Sequence, residues 1–363
     1  MTTDVTPAAS AGRARLCDVV VAVEPPTPTH PDVASWRPAT LGDVAAITAT
    51  QKAMDAADHP DWTTPSEDVE DELTHPGVEL AADSLVALDD AGDVLAWGVV
   101  QILPANAERV QGVLVGGVHP RVRGRGIGRV LLGWQLARGT ARLALSEERL
   151  AAWLRVDTDE RNPGGLALAR RLGLRPVRWF TSMERIVTSG PGGRAPAIPV
   201  RLVPDGTRLV PYTADRAEDT RLARNDAFRD HWGSADFSPQ RWAQLVGTDL
   251  FRADLSFLVV EDAGTDPSRV LGFALCNANE DDWELQGFTS AYLAIVGVTR
   301  DGRGRGLAPA LLSAVLTAVR DAGLERVVLD VDTENPTGAL GLYEGVGFVS
   351  ASRSVTLALD IVA

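Results

Sequence analysis

The chain has 363 residues, a formal charge of −14, 45% hydrophobic residues and two cysteines, Cys17 and Cys276. Its length predicts two domains of about 150 residues each. Two cysteines exclude a disulfide framework and fit a reducing cytoplasm, the acidic balance argues against nucleic acid as a partner, and no apolar run reaches the roughly 20 residues of a membrane helix or follows a basic start as a secretory signal does, so no membrane partner is expected.

Residues 1–35 are rich in Ala, Thr and Pro, including Glu24-Pro25-Pro26-Thr27-Pro28, and read as a flexible leader. From Trp36 the pattern becomes that of a folded unit, with helical spacing from Leu41 to Met54 and strand-like runs at 84–88, 94–103 and 110–118. After the last run comes V-H-P-R-V-R-G-R-G-I-G, Val118 to Gly128, and then a helix whose apolar residues Ile127, Val130, Leu131 and Trp134 share one face. A strand at 154–156 leads to Asp157 and a short helix rich in Ala, Leu and Arg. The Gly- and Pro-rich segment 188–199 reads as an exposed linker.

The same order of elements then repeats. A strand near 209–211 precedes a helix over 214–229, and strands follow near 256–261, 269–277 and 291–298. Val298 to Ala308 reads V-T-R-D-G-R-G-R-G-L-A, and the helix after it carries Leu307, Leu311, Leu312, Val315, Leu316 and Val319 on one stripe. Pro309 falls in the first turn, where its missing N–H costs little. A strand over 326–331 follows. The domains are therefore expected at 36–187 and 200–363, a tandem duplication with a period too long for a solenoid.

Both glycine segments reduce to Arg, two residues, Gly, one residue, then Gly or Ala: Arg123, Gly126 and Gly128, then Arg303, Gly306 and Ala308. A strand that turns through glycines into a helix start presents unpaired N–H groups to phosphate, and a Cβ there would keep a pyrophosphate from the backbone. The dinucleotide pattern G-x-G-x-x-G fails on spacing, and G-K followed by Ser or Thr is absent.

On these segments each unit resembles the GNAT superfamily of acyl-CoA-dependent N-acyltransferases, whose phosphate loop Gln/Arg-x-x-Gly-x-Gly/Ala joins the fourth strand to the third helix. The resemblance implies an α/β (α+β) fold, two tandem GNAT-like domains each with a mixed, mostly antiparallel twisted sheet flanked by helices. It implies acetyl-CoA as acyl donor and assigns coenzyme contacts to Val296, Val298, Arg303, Gly304, Arg305, Gly306, Leu307 and Ala308 in the second unit and to Val118, Arg123, Gly124, Arg125, Gly126 and Gly128 in the first. No metal is expected, since two distant cysteines and five scattered histidines give no ligand spacing.

The second unit continues D-T-E-N-P-T-G-A-L-G-L-Y-E-G-V-G-F from Asp332 to Phe348. By the resemblance Asn335 contacts the pantetheine arm and Tyr343 stands near the leaving thiolate, which a phenol of ordinary pKa about 10 can protonate. An N–H near Ile295 or Val296 would hold the oxyanion. In the first unit Asn162 and Gly173 match, but Ala169 and Arg170 stand where the Tyr would lie and Leu174 replaces the Phe. The first domain is thus expected to be catalytically degenerate and the second catalytic.

A base for the amine is left open. GNAT enzymes often carry a Glu on the fourth strand, and Tyr292-Leu293-Ala294-Ile295 has none. Glu284, in the acidic run Glu280-Asp281-Asp282-Trp283-Glu284, is one candidate; His231, beside Trp232 where GNAT proteins form the acceptor site, is another, and solvent a third. A tandem GNAT with a live second half is similar to mycothiol synthases, which acetylate a cysteinyl amine. The expected function is acetyl transfer to a small-molecule primary amine by a cytoplasmic monomer or homodimer. The alternatives are a non-catalytic acyl-CoA-binding or regulatory protein and a protein or peptide N-acetyltransferase.

Overall fold

In the computed structural model, which describes residues 13–106, 108–188, 197–229, 236–262, 268–334 and 338–363, the chain divides into two units. One comprises Met1–Val177 with Val355–Ala363, the other Arg178–Ser354. The division falls differently from the linker expected at 188–199, because pairing between strands far apart in sequence decides it.

The first unit contains α1 (Leu16–Val19), β1 (Ser35–Arg37), α2 (Val44–Asp58), α3 (Ser66–Thr74), α4 (Leu80–Asp83), β2 (Ser84–Leu88), β3 (Val94–Leu103), β4 (Arg109–Val118), α5 (Ile127–Leu143), β5 (Ala151–Asp159) and α6 (Pro163–Arg171). Strands β1 to β4 pair antiparallel in sequence order, and β5 lies parallel beside β4. The sheet is apolar on both faces: α5 covers Leu85, Val100, Leu114 and Leu154, while α2 and α3 cover Val86, Trp97 and Val99. Residues 13–35 are not a free leader. Leu16 is fully buried in this core, and the N–H groups of Leu16 and Cys17 donate to the carbonyls of Glu148 and Ser146 at 2.9 Å; residues 1–12 lie outside the described residues.

β6 (Arg175–Ile186) begins in the first unit and pairs in the second. The second unit adds β7 (Thr207–Pro211), α7 (Ala217–Ala227), α8 (Pro239–Val246), β8 (Phe257–Glu261), β9 (Val270–Asn277), α9 (Asp281–Gln286), β10 (Ser290–Val298), α10 (Leu307–Asp321), β11 (Arg326–Asp332) and α11 (Ala339–Gly345). β12 (Val349–Val362) starts here and ends in the first unit, where the Thr356 hydroxyl donates to Asp157. Strands β7 to β10 pair antiparallel in sequence order, β11 runs parallel to β10, and β6 closes the unit antiparallel to β11. The expected stripe on α10 is buried in full, against Leu271, Ala291, Leu293, Val327 and Leu329. Phe273, Leu275 and Leu258 face the other way, toward α7 and α8. Each unit is thus a mixed, mostly antiparallel sheet flanked by helices.

Candidate active site

Both glycine segments fold alike. A single 3₁₀ turn follows the strand, Arg123 and Arg303 are extended, and two glycines with positive φ lead into the helix: Gly124 (79°) and Gly126 (102°), then Gly304 (73°) and Gly306 (77°). Such φ values are strained for any residue with a Cβ. In the second unit a Cβ built on Gly304 or Gly306 meets no atom within 4 Å, so open space lies above the loop. The first-turn N–H groups of α10 face this space without intrahelical acceptors. A pyrophosphate fits that cradle. Leu307 anchors the turn in the core and Ala308 is half-buried behind it, while Val296 and Val298 pack against the same core. Arg303 is exposed, and its Nη2 donates to the Ala227 carbonyl at 2.9 Å.

The surroundings of the first loop differ. Arg123 makes a bidentate pair with Asp58 at 2.6 and 2.8 Å, and its Nε donates to the Val118 carbonyl. Asp58 also accepts from Asn162 Nδ2 at 3.0 Å, while Asn162 Oδ1 caps α6 through the Gly165 N–H. His30 lies over the loop: its Nδ1 accepts from the Asp32 N–H, so its Nε2 donates to the Arg125 carbonyl at 3.1 Å. A Cβ on Gly126 would stand 3.5 Å from that ring, and one on Gly128 would press on Val118 and Leu168. The loop has its shape, but its arginine is already neutralised and its Asn amide already used.

In the second unit β10 and β11 pair only from Ser290/Arg326 to Tyr292/Val328, although β10 continues to Val298 and β11 to Asp332. Beyond Tyr292 the two strands separate and leave a cleft that ends near the glycine loop. A β-bulge on β10, where Leu293 opposes Cys276 and Ile295 opposes Leu275, leaves Ala294 unpaired against β9. Bulges re-aim backbone groups at such sites. The stretch expected to supply the oxyanion N–H begins immediately after it.

Two tyrosines mark the cleft. Tyr343 on α11 is 6% exposed and stacks edge-on against Phe348; burial pushes its phenol well above its ordinary range, so it stays protonated at neutral pH. Tyr292 is the last β10 residue paired with β11, and its hydroxyl donates to Asp330 of β11 at 2.9 Å. Its phenol also lies well above the ordinary range, through burial of the hydroxyl first and then through the charge and hydrogen bond of Asp330, with Tyr343 adding to the effect. The ring itself keeps 38% of its surface. Asp330 was not found from sequence, because in V-V-L-D-V-D it reads as one polar step of an alternating strand. Asp332 on the same face is buried and paired bidentate with Arg178 at 2.8 Å.

Glu284 is exposed on α9. The neighbouring Trp283 indole donates to the carbonyl of Ser290, so α9 sits at the start of β10, away from the bulge and the loop. Asn335, His231 and Trp232 lie outside the described residues. Both cysteines are free, Cys276 being fully buried with its thiol pushed up by burial. Among the described residues no group of His, Cys, Asp and Glu has a metal-binding arrangement, and no helix is long and apolar enough to cross a membrane.

A model of the acetyltransferase (GNAT) family matches residues 217–348. A mycothiol acetyltransferase of Nocardia farcinica is 32% identical over 323 residues, covering 86% of this chain and 93% of the relative. The chain belongs to the GNAT acetyltransferase family. It is an acyl-CoA-dependent N-acyltransferase with the tandem architecture of the mycothiol acetyltransferases. A GCN5-related N-acetyltransferase from Sphaerobacter thermophilus superposes with a TM-score of 0.66 at 25% identity, covering 92% of this GNAT chain and 98% of that one. A tandem GNAT protein from the clavulanic acid biosynthesis pathway shares the fold, with a TM-score of 0.63 at 18% identity over 91% and 99% of the two chains.

Proposed function

We propose that the protein transfers the acetyl group of acetyl-CoA to the primary amine of a small molecule, with the chemistry in the second unit. The mycothiol acetyltransferase relatives make a cysteinyl amine the first acceptor to test. The observation that carries the assignment to the second unit is the contrast between the loops. Space is open above Gly304, Gly306 and Gly124 alike, but in the first unit His30 stands 3.5 Å from a Cβ on Gly126 and Asp58 binds Arg123.

In this reading Arg303, Gly304, Arg305, Gly306, Leu307 and Ala308 hold the pyrophosphate. The pantetheine arm enters between the separated strands along Val296 and Val298, with Asn335 at its side. The thioester carbonyl then lies by the bulge, where an N–H of Ile295 or Val296 stabilises the oxyanion. The amine nitrogen forms a bond to the carbonyl carbon, the C–S bond breaks with its electron pair on sulfur, and Tyr343 gives that sulfur a proton. Burial keeps Tyr343 protonated at neutral pH, so a proton is already in place where the thiolate forms. The first unit, which lacks a counterpart of Tyr343, is a degenerate partner that completes the fold. Its loop residues Val118, Arg123, Gly124, Arg125, Gly126 and Gly128 keep the shape of a coenzyme site, with Arg123 paired to Asp58.

The test is coenzyme A release from acetyl-CoA by the full chain, with desacetyl mycothiol, simple primary amines and lysine peptides as acceptors. Transfer to a small amine is expected. Transfer to peptides alone would favour a protein acetyltransferase, and acetyl-CoA binding without any transfer would favour a non-catalytic acyl-CoA-binding protein.

A further inference from the structure

The reaction needs a group to remove a proton from the acceptor's ammonium, and the fourth-strand position that often carries a carboxylate in this family holds Tyr292. The sheet brings a carboxylate to the same place from the neighbouring strand. Ala291 and Leu293 of β10, and Val327, Leu329 and Val331 of β11, belong to the core under α10. By strand alternation, Tyr292 and Asp330 project from the opposite face, the one on which α7 packs. Tyr343 belongs to the core on the α10 side. The cleft between β10 and β11 therefore has a proton donor on one face and a carboxylate on the other. In the proposed reaction the amine then approaches on the carboxylate's side and the sulfur leaves toward the phenol.

We infer that Asp330 is the group that receives the acceptor's proton, and that Tyr292 is its positioning residue. The inference rests on the proposed amine acetyltransferase reading. The ammonium approaches on the α7 face and gives one proton to the Asp330 carboxylate, becoming a neutral amine. The nitrogen lone pair forms the C–N bond, the C–S bond breaks, and the sulfur takes the Tyr343 proton. The second proton on nitrogen returns through solvent to the Tyr343 phenolate, and Asp330 releases its proton to water. One proton is produced for each amide formed from an ammonium, so the step balances.

Tyr292 does not take the proton itself. The negative charge of Asp330 and the crowding of its hydroxyl disfavour a phenolate, so it remains a donor. Its hydrogen bond fixes the Asp330 carboxylate at the point where the strands part. A carboxylate there also draws in a cationic amine and discriminates against an alcohol.

The test compares wild type, Asp330→Asn, Tyr292→Phe and the double variant Tyr292→Glu with Asp330→Asn, using desacetyl mycothiol and a panel of simple primary amines. Asp330 is exposed, so its amide replacement leaves the fold intact. Asp330→Asn is expected to lower kcat/KM for the amine by about a hundredfold or more, the range of general acid–base catalysis, with acetyl-CoA affinity and melting temperature unchanged. Tyr292→Phe is expected to lower it by about tenfold, the equivalent of one hydrogen bond to a charged group. The double variant restores a carboxylate from β10 and is expected to recover activity over Asp330→Asn alone, which a merely structural role cannot produce. Asp330→Asn within threefold of wild type, or no recovery in the double variant, overturns the inference while acetyl transfer by wild type still stands. Wild type inert toward every amine overturns the functional reading and this inference together.

Discussion

Replacing Gly306 by Ala separates coenzyme binding from folding. Gly306 has φ of 77°, so a Cβ there carries the left-handed strain of about 1–2 kcal/mol. Nothing adds to that cost, because no heavy atom lies within 4 Å of the Cβ position. For a unit of this size the strain lowers the melting temperature by about 2–8 °C. The same methyl stands where a phosphate oxygen would approach the backbone. Loss of one hydrogen bond to a charged group costs about 1.5–3 kcal/mol, so acetyl-CoA affinity is expected to fall ten- to a hundredfold. Gly302→Ala is the control: its Cβ would lie 2.9 Å from both the Leu271 carbonyl oxygen and Val298, so it acts on packing and not on the open face. Calorimetric titration with acetyl-CoA and thermal melts of both variants give the comparison. If Gly306→Ala melts lower as expected yet binds within twofold of wild type, the phosphates do not sit on this loop.

Three further outcomes are expected. Tyr343→Phe lowers kcat by about a hundredfold with acetyl-CoA affinity unchanged, read by steady-state kinetics beside titration; wild-type turnover removes its acid role. Wild type binds one equivalent of acetyl-CoA by calorimetry, and two equivalents would show that Asp58 and His30 do not block the first loop. Glu72 sets a pH dependence: burial pushes its carboxyl up to about 7, with Asp68, Asp71 and Asp157 adding repulsion against the relief from Gln101. Between the ordinary carboxylate range and that value the folded state holds a proton the unfolded chain has released, so stability falls as pH rises through the window. Glu72→Gln is expected to flatten the fall in melting temperature between pH 5 and pH 8, and an unchanged slope would count against the assignment.

What the sequence made legible follows from how local each feature is. The glycine loops were readable because the need for positive φ at Gly124, Gly126, Gly304 and Gly306 belongs to single residues. The α10 stripe was readable because it depends on one helix period. The cleft was not, since it arises where β10 and β11, joined through a whole helix, stop pairing at Tyr292 and Val328. Asp330 was hidden for the same reason. Its partner is 38 residues away in the chain, and only the sheet register sets the two side by side. The 13–35 segment misled in another way: its Pro and Ala content predicts a low tendency to form regular structure, yet Leu16 and His30 are held by contacts that composition does not encode.

The persistence of the loop in the first unit carries less functional weight than its glycines suggest. In both units the glycines let a strand turn through a short 3₁₀ segment into a long buried helix, and that turn is needed whether or not phosphate binds. Loss of Gly124 or Gly126 would strain the entry to α5, whose Ile127 and Leu131 are in the core. On the proposed reading the turn is kept for folding in the first unit, whose chemistry is expected to be lost. The residues around the turn differ between the units: Arg123 is bound by Asp58, which also accepts from Asn162, and Arg303 donates to the Ala227 carbonyl. Paired with Asp58, Arg123 offers an approaching pyrophosphate little net charge. On the proposed reading the charge next to the loop, rather than the glycine pattern, separates the coenzyme site from the structural turn.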